Sequence, residues 1–525
     1  MPIDNLANSK ISLNLSNPDI TFLHSAGIAG LSMTLERLEQ LYPMPALRPG
    51  NLNWLLTPRS ISLNWEGKDL IALDWLLKQS FQINDEGLIN FVALNYEKID
   101  IYTQILIHQG ITGTFLQHNN FFKSAGVASK SLIINDIKLT LWYKKAASYA
   151  HQNFANKLCD EHGNMLQQHI RIAGWLYPGA VVRHAAFNDK SKFEEKPEYA
   201  LALLFAPVAC QYFVLRSHVK PNQMEYALVI PEVTNLENYN EPYNNHSNWS
   251  YSNFHVSSLG EAGLKFLVHQ KSVELARCHQ IKQCQVIYFG VVEWSKQQKT
   301  PMAMRLVNAT ETICSLYKMV SSYFPEYKIH LSKDNAFIIS SFVKSIIADN
   351  LSKNLPWWSN FYTTINFKNN QNKFIFNTVF YENRSIYKMV QNSDWDSETQ
   401  KLYIQLCQEA LKKRYAKIYS QTQEGEYTQI ERENMRILSQ LKLCISYEKF
   451  RKFITQFIGE AGKLTILETH WQELLPIVSG ETDWKLARDL FFIALAGYPR
   501  SQAIDASAHE EKYTVNNSSG THVNK

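Results

Sequence analysis

Lysine, serine, asparagine and phenylalanine crowd into one stretch, QHNNFFKSAGVASKS at 117–131, expected as a flexible loop between two strands. Lys123 and Lys130 can hold phosphate by charge, Ser124 and Ser129 by their hydroxyls, and Asn119 and Asn120 carry the amide that pairs with an adenine edge. Phe121 and Phe122 can stack on a base or wedge between base steps. On residue types alone, an ordinary surface hairpin with two buried phenylalanines is the better reading. Lys144 and Lys145 end the next strand and either extend the positive charge or form a solvated edge. Arg183-His184, after a turn at Pro178-Gly179, offers another phosphate contact or a structural ion pair. Further on, KKRYAK at 412–417 places Lys412, Lys413 and Arg414 beside Tyr415, and KFRKF at 449–453 places Arg451 and Lys452 beside Phe453. A charged helix face is often only solvated, but interleaved aromatics also suit a single-stranded nucleic acid.

Signals for catalysis are weak. There is no GxSxG elbow, no HExxH and no CxxC pair, so no metal or cofactor is expected. Asp136-Ile-Lys138 on an expected strand has the acidic-x-Lys form found in metal-dependent nucleases, without a partner acid on an adjoining strand. The acids of SDWDSE at 393–398 suit a helix N-terminus, where they complement the dipole. Gly27 and Gly30, in HSAGIAGLSMTLERLEQLYP at 24–43, fall in the expected first turn of an amphipathic helix with apolar positions 28, 31, 35, 38 and 41/42. No Gly-Lys-Ser/Thr follows, so this is not a phosphate loop of the Walker type, and close packing of the helix start is the better reading.

These residues must be positioned by a large scaffold. A chain of 525 residues exceeds one hydrophobic core and suggests about three domains. An apolar share of 45% with 12% aromatics favours a folded protein, and a net charge of +5 fits a polyanionic partner without requiring one. The seven scattered cysteines argue against a disulfide framework and for a reducing cytoplasm. The N-terminus lacks a basic start and an apolar run, so no signal peptide is expected. The apolar run ALALLFAPVACQYFVL at 200–215 is interrupted and short for a membrane span, and is expected as buried sheet.

The first third alternates helices (ALDWLLKQSF, IDIYTQILIHQG) with strands (RSISLNW, ITGTFLQ, KSLIINDIKLTLWYKK). The middle is strand-rich, with NLENYNEPYNNHSNWSYSN at 235–253 as a long surface insertion. Helical periodicity dominates from 335 to 500, with helices expected near 397–420, 427–445, 447–459, 464–475 and 482–497. The expected fold is therefore α+β: a mixed α/β region over 1–180, a strand-rich region over 181–335 with the insertion near 235–255, an antiparallel helical bundle over 336–500, and a disordered tail over 501–525.

Four stretches in order, HSAGIAGLSMTLERLEQL, LNWLLTPRSISLNWEG, GWLYPGAVVRHAAF and HWQELLPIVSGETDWKLARDLFFIALAGY, resemble the large subunit of type I CRISPR effector (Cascade) complexes. The nearest lineage is that of type I-B and Myxan-type systems, some of which accompany transposons. The resemblance implies a non-catalytic DNA-surveillance subunit. Such a subunit reads the protospacer-adjacent motif of double-stranded target DNA while guide RNA pairing reads the sequence. It implies contact with the guide RNA, with the subunit that binds its 5′ handle, with backbone subunits and with small subunits, and no membrane. The C-terminal bundle would hold the displaced single strand. A nuclease-helicase or a transposition adaptor would act downstream. Small subunits translated from an internal start are also implied, and Met389 stands just before the long helical stretch. The alternatives are a nuclease using Asp136 and Lys138, or a scaffold that contacts only protein.

Overall fold

The computed structural model describes residues 10–116, 122–172, 194–216, 224–243, 250–272, 283–292, 295–331, 336–364, 379, 381–395, 397–420, 428–479 and 483–498. The chain divides into two compact units. One runs to Lys318 and includes Pro325–Ser341; the other takes in Met319–Phe324 and the chain from Phe342 onward.

The first unit opens with β1 (Ile11–Asn14), α1 (Phe22–Leu41), β2 (Asn53–Leu56), β3 (Ser60–Asn64), α2 (Asp69–Ser80), β4 (Phe81–Ile83), β5 (Ile89–Phe91) and α3 (Ile101–Thr114). There follow β6 (Phe122–Ile134), β7 (Ile137–Tyr149), α4 (Ala155–Leu158), β8 (Ile170–Arg171), β9 (Glu194–Glu195) and α5 (Pro197–Ala209). The remainder is β10 (Gln211–Leu215), β11 (Glu225–Pro231), α6 (Leu236–Tyr243), β12 (His255–Val256), α7 (Leu259–Ser272), β13 (Gln283–Val292), β14 (Ser295–Asn308), α8 (Glu311–Tyr323), β15 (Lys328–Leu331) and β16 (Ala336–Ile339). Its largest sheet has the order β12-β10-β11-β13-β14. Only the β10–β12 pair is parallel.

Helix α1 is buried on every side from Leu23 to Leu35, so its polar face begins only at Glu36. Its N-terminus is closed internally. Thr21 N–H donates to His24 Nδ1 at 3.2 Å, which leaves Nε2–H to donate to Glu195 Oε2 at 3.1 Å. Gly27 and Gly30 lie in its second and third turns and pack on α5. A Cβ at Gly27 would fall on the Ala202 carbonyl, and one at Gly30 on the Phe205 carbonyl. Close helix packing, and not phosphate, accounts for both glycines.

Four local expectations need correction. ALALLFAPVA is the helix α5 and not a strand. Pro197 sits in its first turn, where a missing N–H is harmless, and Ala200–Ala209 are wholly buried. Tyr212 and Tyr239 hydroxyls donate to the Pro207 and Ala209 carbonyls at its end. ITGT closes α3, where Thr114 Oγ1 donates back to the Gly110 carbonyl at 2.7 Å; its β-branched residues had suggested a strand. Residues 122–131 are not a loop but the first part of β6. Its partner β7 folds back at Asn135-Asp136, both left-handed at φ 48° and 61°. Finally, 235–253 is not simply a surface insertion. Leu236, Tyr239 and Asn240 of α6 are buried, and Asn240 Nδ2 donates to Ser32 Oγ of α1 at 3.1 Å. Tyr251 and Phe254 are buried as well.

The second unit is helical: α9 (Phe342–Leu351), α10 (Phe361–Thr364), α11 (Asn383–Asn392), α12 (Glu398–Tyr419), α13 (Thr428–Lys442), α14 (Tyr447–Glu460), α15 (Thr465–Ser479) and α16 (Trp484–Ala496). Ser397, Ser446 and Asp483 cap α12, α14 and α16 by accepting from the N–H of Thr399, Lys449 and Lys485. Tyr403, Ile404, Leu406, Cys407, Ala410, Leu411 and Tyr415 form the buried stripe of α12, which faces α15 and α16. The architecture is α+β, as expected, with mixed and strand-rich parts followed by C-terminal helices. Among the described residues no helix is long and apolar enough to cross a membrane. Cys159, Cys210, Cys284, Cys314, Cys407 and Cys444 are buried free thiols. The expected tail at 501–525 and the turn at Pro178-Gly179 lie outside the described residues.

Candidate nucleic-acid interface

Strict alternation in KLTLWYKK sets the geometry of β7. Leu139 and Tyr143 turn inward and are buried, while Lys138, Thr140, Trp142 and Lys144 stand on the exposed face. Pairing places Ile133 across from Lys138, Ser131 from Thr140, Ser129 from Trp142 and Val127 from Lys144. The exposed face of this ribbon therefore alternates cations, hydroxyls and apolar groups.

Helix α3 fastens the ribbon by its backbone. His108 Nδ1 accepts from the Ile89 N–H at 3.1 Å, so the imidazole is neutral and Nε2–H donates to the Lys144 carbonyl at 2.7 Å. Burial pushes this histidine down to about 4. Gln109 Nε2 donates to the Trp142 carbonyl at 2.6 Å, and its Oε1 accepts from the Tyr226 hydroxyl of β11 at 3.2 Å. Tyr102 donates to the Ser131 carbonyl at 2.9 Å. Beside the base of the ribbon a groove of about 850 Å³ is lined by α3 (Gln109, Thr112), by β6 and β7 (Lys123, Ser124, Trp142, Lys144), and by Met224 and Tyr226.

Three of the residues expected to touch nucleic acid, Lys123, Ser124 and Lys144, meet in this groove. Both lysines are exposed and have no ion-pair partner among the described residues. Lys130 does not join them. It is paired with Glu86 at 2.7 Å, which holds the glutamate below its usual range. The stem of Lys145 packs on Gly87. Asn119, Asn120, Arg183 and His184 lie outside the described residues. Asp136 sits at the hairpin tip and not on a strand, since a two-residue turn here requires two left-handed residues. Among the described residues no group of three or more histidine, cysteine, aspartate or glutamate side chains could hold a metal.

In the second unit Lys412 is exposed on α12, and Arg451 and Lys452 are exposed on α14. Lys413 donates to the Lys463 carbonyl and lies 3.9 Å from Glu409. Arg414 is committed to Glu433 at 3.0 Å and Glu460 at 2.8 Å, with its guanidinium 4.8 Å from the Phe457 ring. Tyr415 and Phe453, expected as stacking aromatics, are instead buried, and the Tyr415 hydroxyl donates to Asn434. The reason is helical periodicity, which turns them toward the core while their charged neighbours face out.

Sequence reading missed Trp142, Gln109 and Tyr226. Trp142 was legible, because alternation puts it on one face with Lys144. Gln109 and Tyr226 come from distant elements and carry no local signal.

Residues 12–204 match the DevT N-terminal domain family, and residues 391–522 match the DevT C-terminal domain family. The CRISPR-associated protein Cas8a1/Csx13 of Myxococcus xanthus (strain DK1622) is 23% identical over 524 residues, covering 93% of this chain and 88% of that protein. The resemblance to large subunits of type I CRISPR effector complexes is thereby shown. The ribbon and α3 fall within the DevT N-terminal match, Met224 and Tyr226 of the groove lie beyond it, and α12 to α16 fall within the C-terminal one.

Proposed function

We propose that the chain is the non-catalytic large subunit of an RNA-guided CRISPR Cascade complex of the type I-B or Myxan-type lineage. The similarity to Cas8a1/Csx13 along nearly the whole chain carries this reading. In it, guide RNA pairing reads the target, and the first unit meets the duplex beside the protospacer-adjacent motif with the ribbon that carries Lys123 and Lys144. Exposed Lys412, Arg451 and Lys452 of the second unit track the displaced strand by charge alone, since their neighbouring aromatics are buried. The subunit works in the cytoplasm beside the 5′-handle and backbone subunits. It hands the opened target to a nuclease-helicase or to a transposition adaptor.

The test uses the complex assembled with guide RNA. Changing Lys123→Ala together with Lys144→Ala should weaken binding of a duplex target and flatten its salt dependence. Unchanged binding would leave only a protein scaffold.

A second proposal concerns expression. Met389 lies in α11, and a start there would yield α12 to α16 as a separate small subunit. A C-terminal tag should then reveal a short product that disappears on Met389→Leu. A single full-length band would refute it.

A further inference from the structure

Trp142 is unusual among the large side chains of the first unit. It is 63% exposed, yet its main chain is paired in the ribbon and tied to α3. Gln109 grips its carbonyl, and His108 grips the carbonyl two residues on. No aromatic or cationic side chain among the described residues covers its ring. An exposed tryptophan on a rigid strand loses little freedom when a flat ligand settles on it.

Its surroundings narrow the ligand. Lys123 and Lys144, without an ion-pair partner among the described residues, supply positive charge within the same groove, which suits phosphate. Gln109, Thr112 and Ser124 are already hydrogen-bonded within the chain, so the groove offers a ring face and charge and not a reader of base edges. The groove is open on one side, and its volume of about 850 Å³ is ample for one nucleotide. Helix α3 and β11 line one side of the groove, which leaves room beside Trp142 for a single nucleotide.

We propose that the groove receives one unpaired nucleotide of a single-stranded nucleic acid, its base stacked on Trp142 and its phosphates between Lys123 and Lys144. This rests on the reading of the ribbon as the part that meets the duplex beside the protospacer-adjacent motif, and adds that the groove takes a nucleotide left unpaired where that duplex opens. His108 and Gln109 are positioning residues that act through the backbone of Lys144 and Trp142.

The full chain can be tested with an eight-nucleotide DNA strand carrying a central 2-aminopurine, single-stranded or annealed to its complement. Stacking should quench the single-stranded probe. Trp142→Ala should abolish the quench and weaken binding of that probe about tenfold, the scale of one lost base–aromatic stack. Trp142→Phe should restore most of both, and the annealed probe should respond to neither variant. Parental quenching and affinity in Trp142→Ala would overturn the proposal, as would an equal loss on both probes. If Lys123→Ala with Lys144→Ala weakens binding while Trp142→Ala changes nothing, the interface stands and the stacking site falls. If no variant alters either probe, both fall. Because Trp142 is exposed, an unchanged melting temperature in Trp142→Ala is expected and separates lost stacking from lost folding.

Discussion

Two buried residues show how single side chains set the behaviour of the first unit. His108 is neutral because its Nδ1 accepts a backbone N–H, and burial holds its titration near 4 against 6.5 in an unfolded chain. Between those values the unfolded chain binds the proton more readily. The stabilisation is therefore complete above about pH 6.5 and is lost as pH falls toward 4, on the order of 3 kcal/mol from this group at about 1.4 kcal/mol per unit. His151 and His255, pushed down to about 3, and His269, pushed to about 4, act in the same direction. Melting temperature followed from pH 7 to 4.5 should fall less steeply in His108→Gln than in the parent. Parallel profiles would contradict the assignment. Gly30 gives a steric counterpart. Gly30→Ala improves helix propensity but drives a methyl into the Phe205 backbone, so a net loss of roughly 1–3 kcal/mol is expected in thermal unfolding. A more stable variant would show that α1 and α5 can move apart.

At the scale of elements, the β6–β7 ribbon depends on its tip and its anchors. Asn135 and Asp136 both occupy the left-handed region, which costs a branched residue roughly 1–2 kcal/mol. Asp136→Gly should slow amide exchange along the ribbon, and Asp136→Val should speed it. Equal exchange in both would mean that α3 alone holds the ribbon. Neither change should introduce or remove cleavage of DNA in magnesium, because Asp136 is a turn residue. Loss of a measurable nuclease activity on Asp136→Ala would revive the catalytic alternative. The helices of the second unit follow a simpler rule. Serine or aspartate caps start α12, α14 and α16; α12 and α14 turn one apolar stripe inward, while α16 is buried all round from Ala487 to Ala496.

Across the whole molecule, exposed basic residues with no ion-pair partner among the described residues occur in both units, among them Lys123 and Lys144 in one and Arg451 and Lys452 in the other. Each phosphate contact to a single strand contributes roughly 0.7 to the slope of log affinity against log salt. Replacing either pair with alanine should therefore flatten the slope for a long single strand by roughly 1.4, and replacing both by about twice that. A slope that responds to one pair only would assign the contact to that unit. Arg414→Ala should behave differently. Its loss strands Glu433 and Glu460, so it should lower the melting temperature more than it alters the salt slope.

Local pattern was enough for much of this protein. Period and capping residues gave away the helices from 398 to 496, and alternation placed Lys144 and Trp142 on one face of a strand. The paired glycines announced a close helix contact, because only a missing Cβ lets two backbones approach so closely. What local pattern could not carry was competition between partners. Whether Lys130 or Lys123 remains available depends on Glu86, some forty residues away, and Arg414 is taken up by Glu433 and Glu460 from two other helices. Burial likewise overrode the strand-like look of ALALLFAPVA, since α1 offered its glycine face to a helix. Which cations stay free, and which aromatic ring faces a groove, were settled only when distant elements packed together, because charge pairing and burial are properties of neighbours in space.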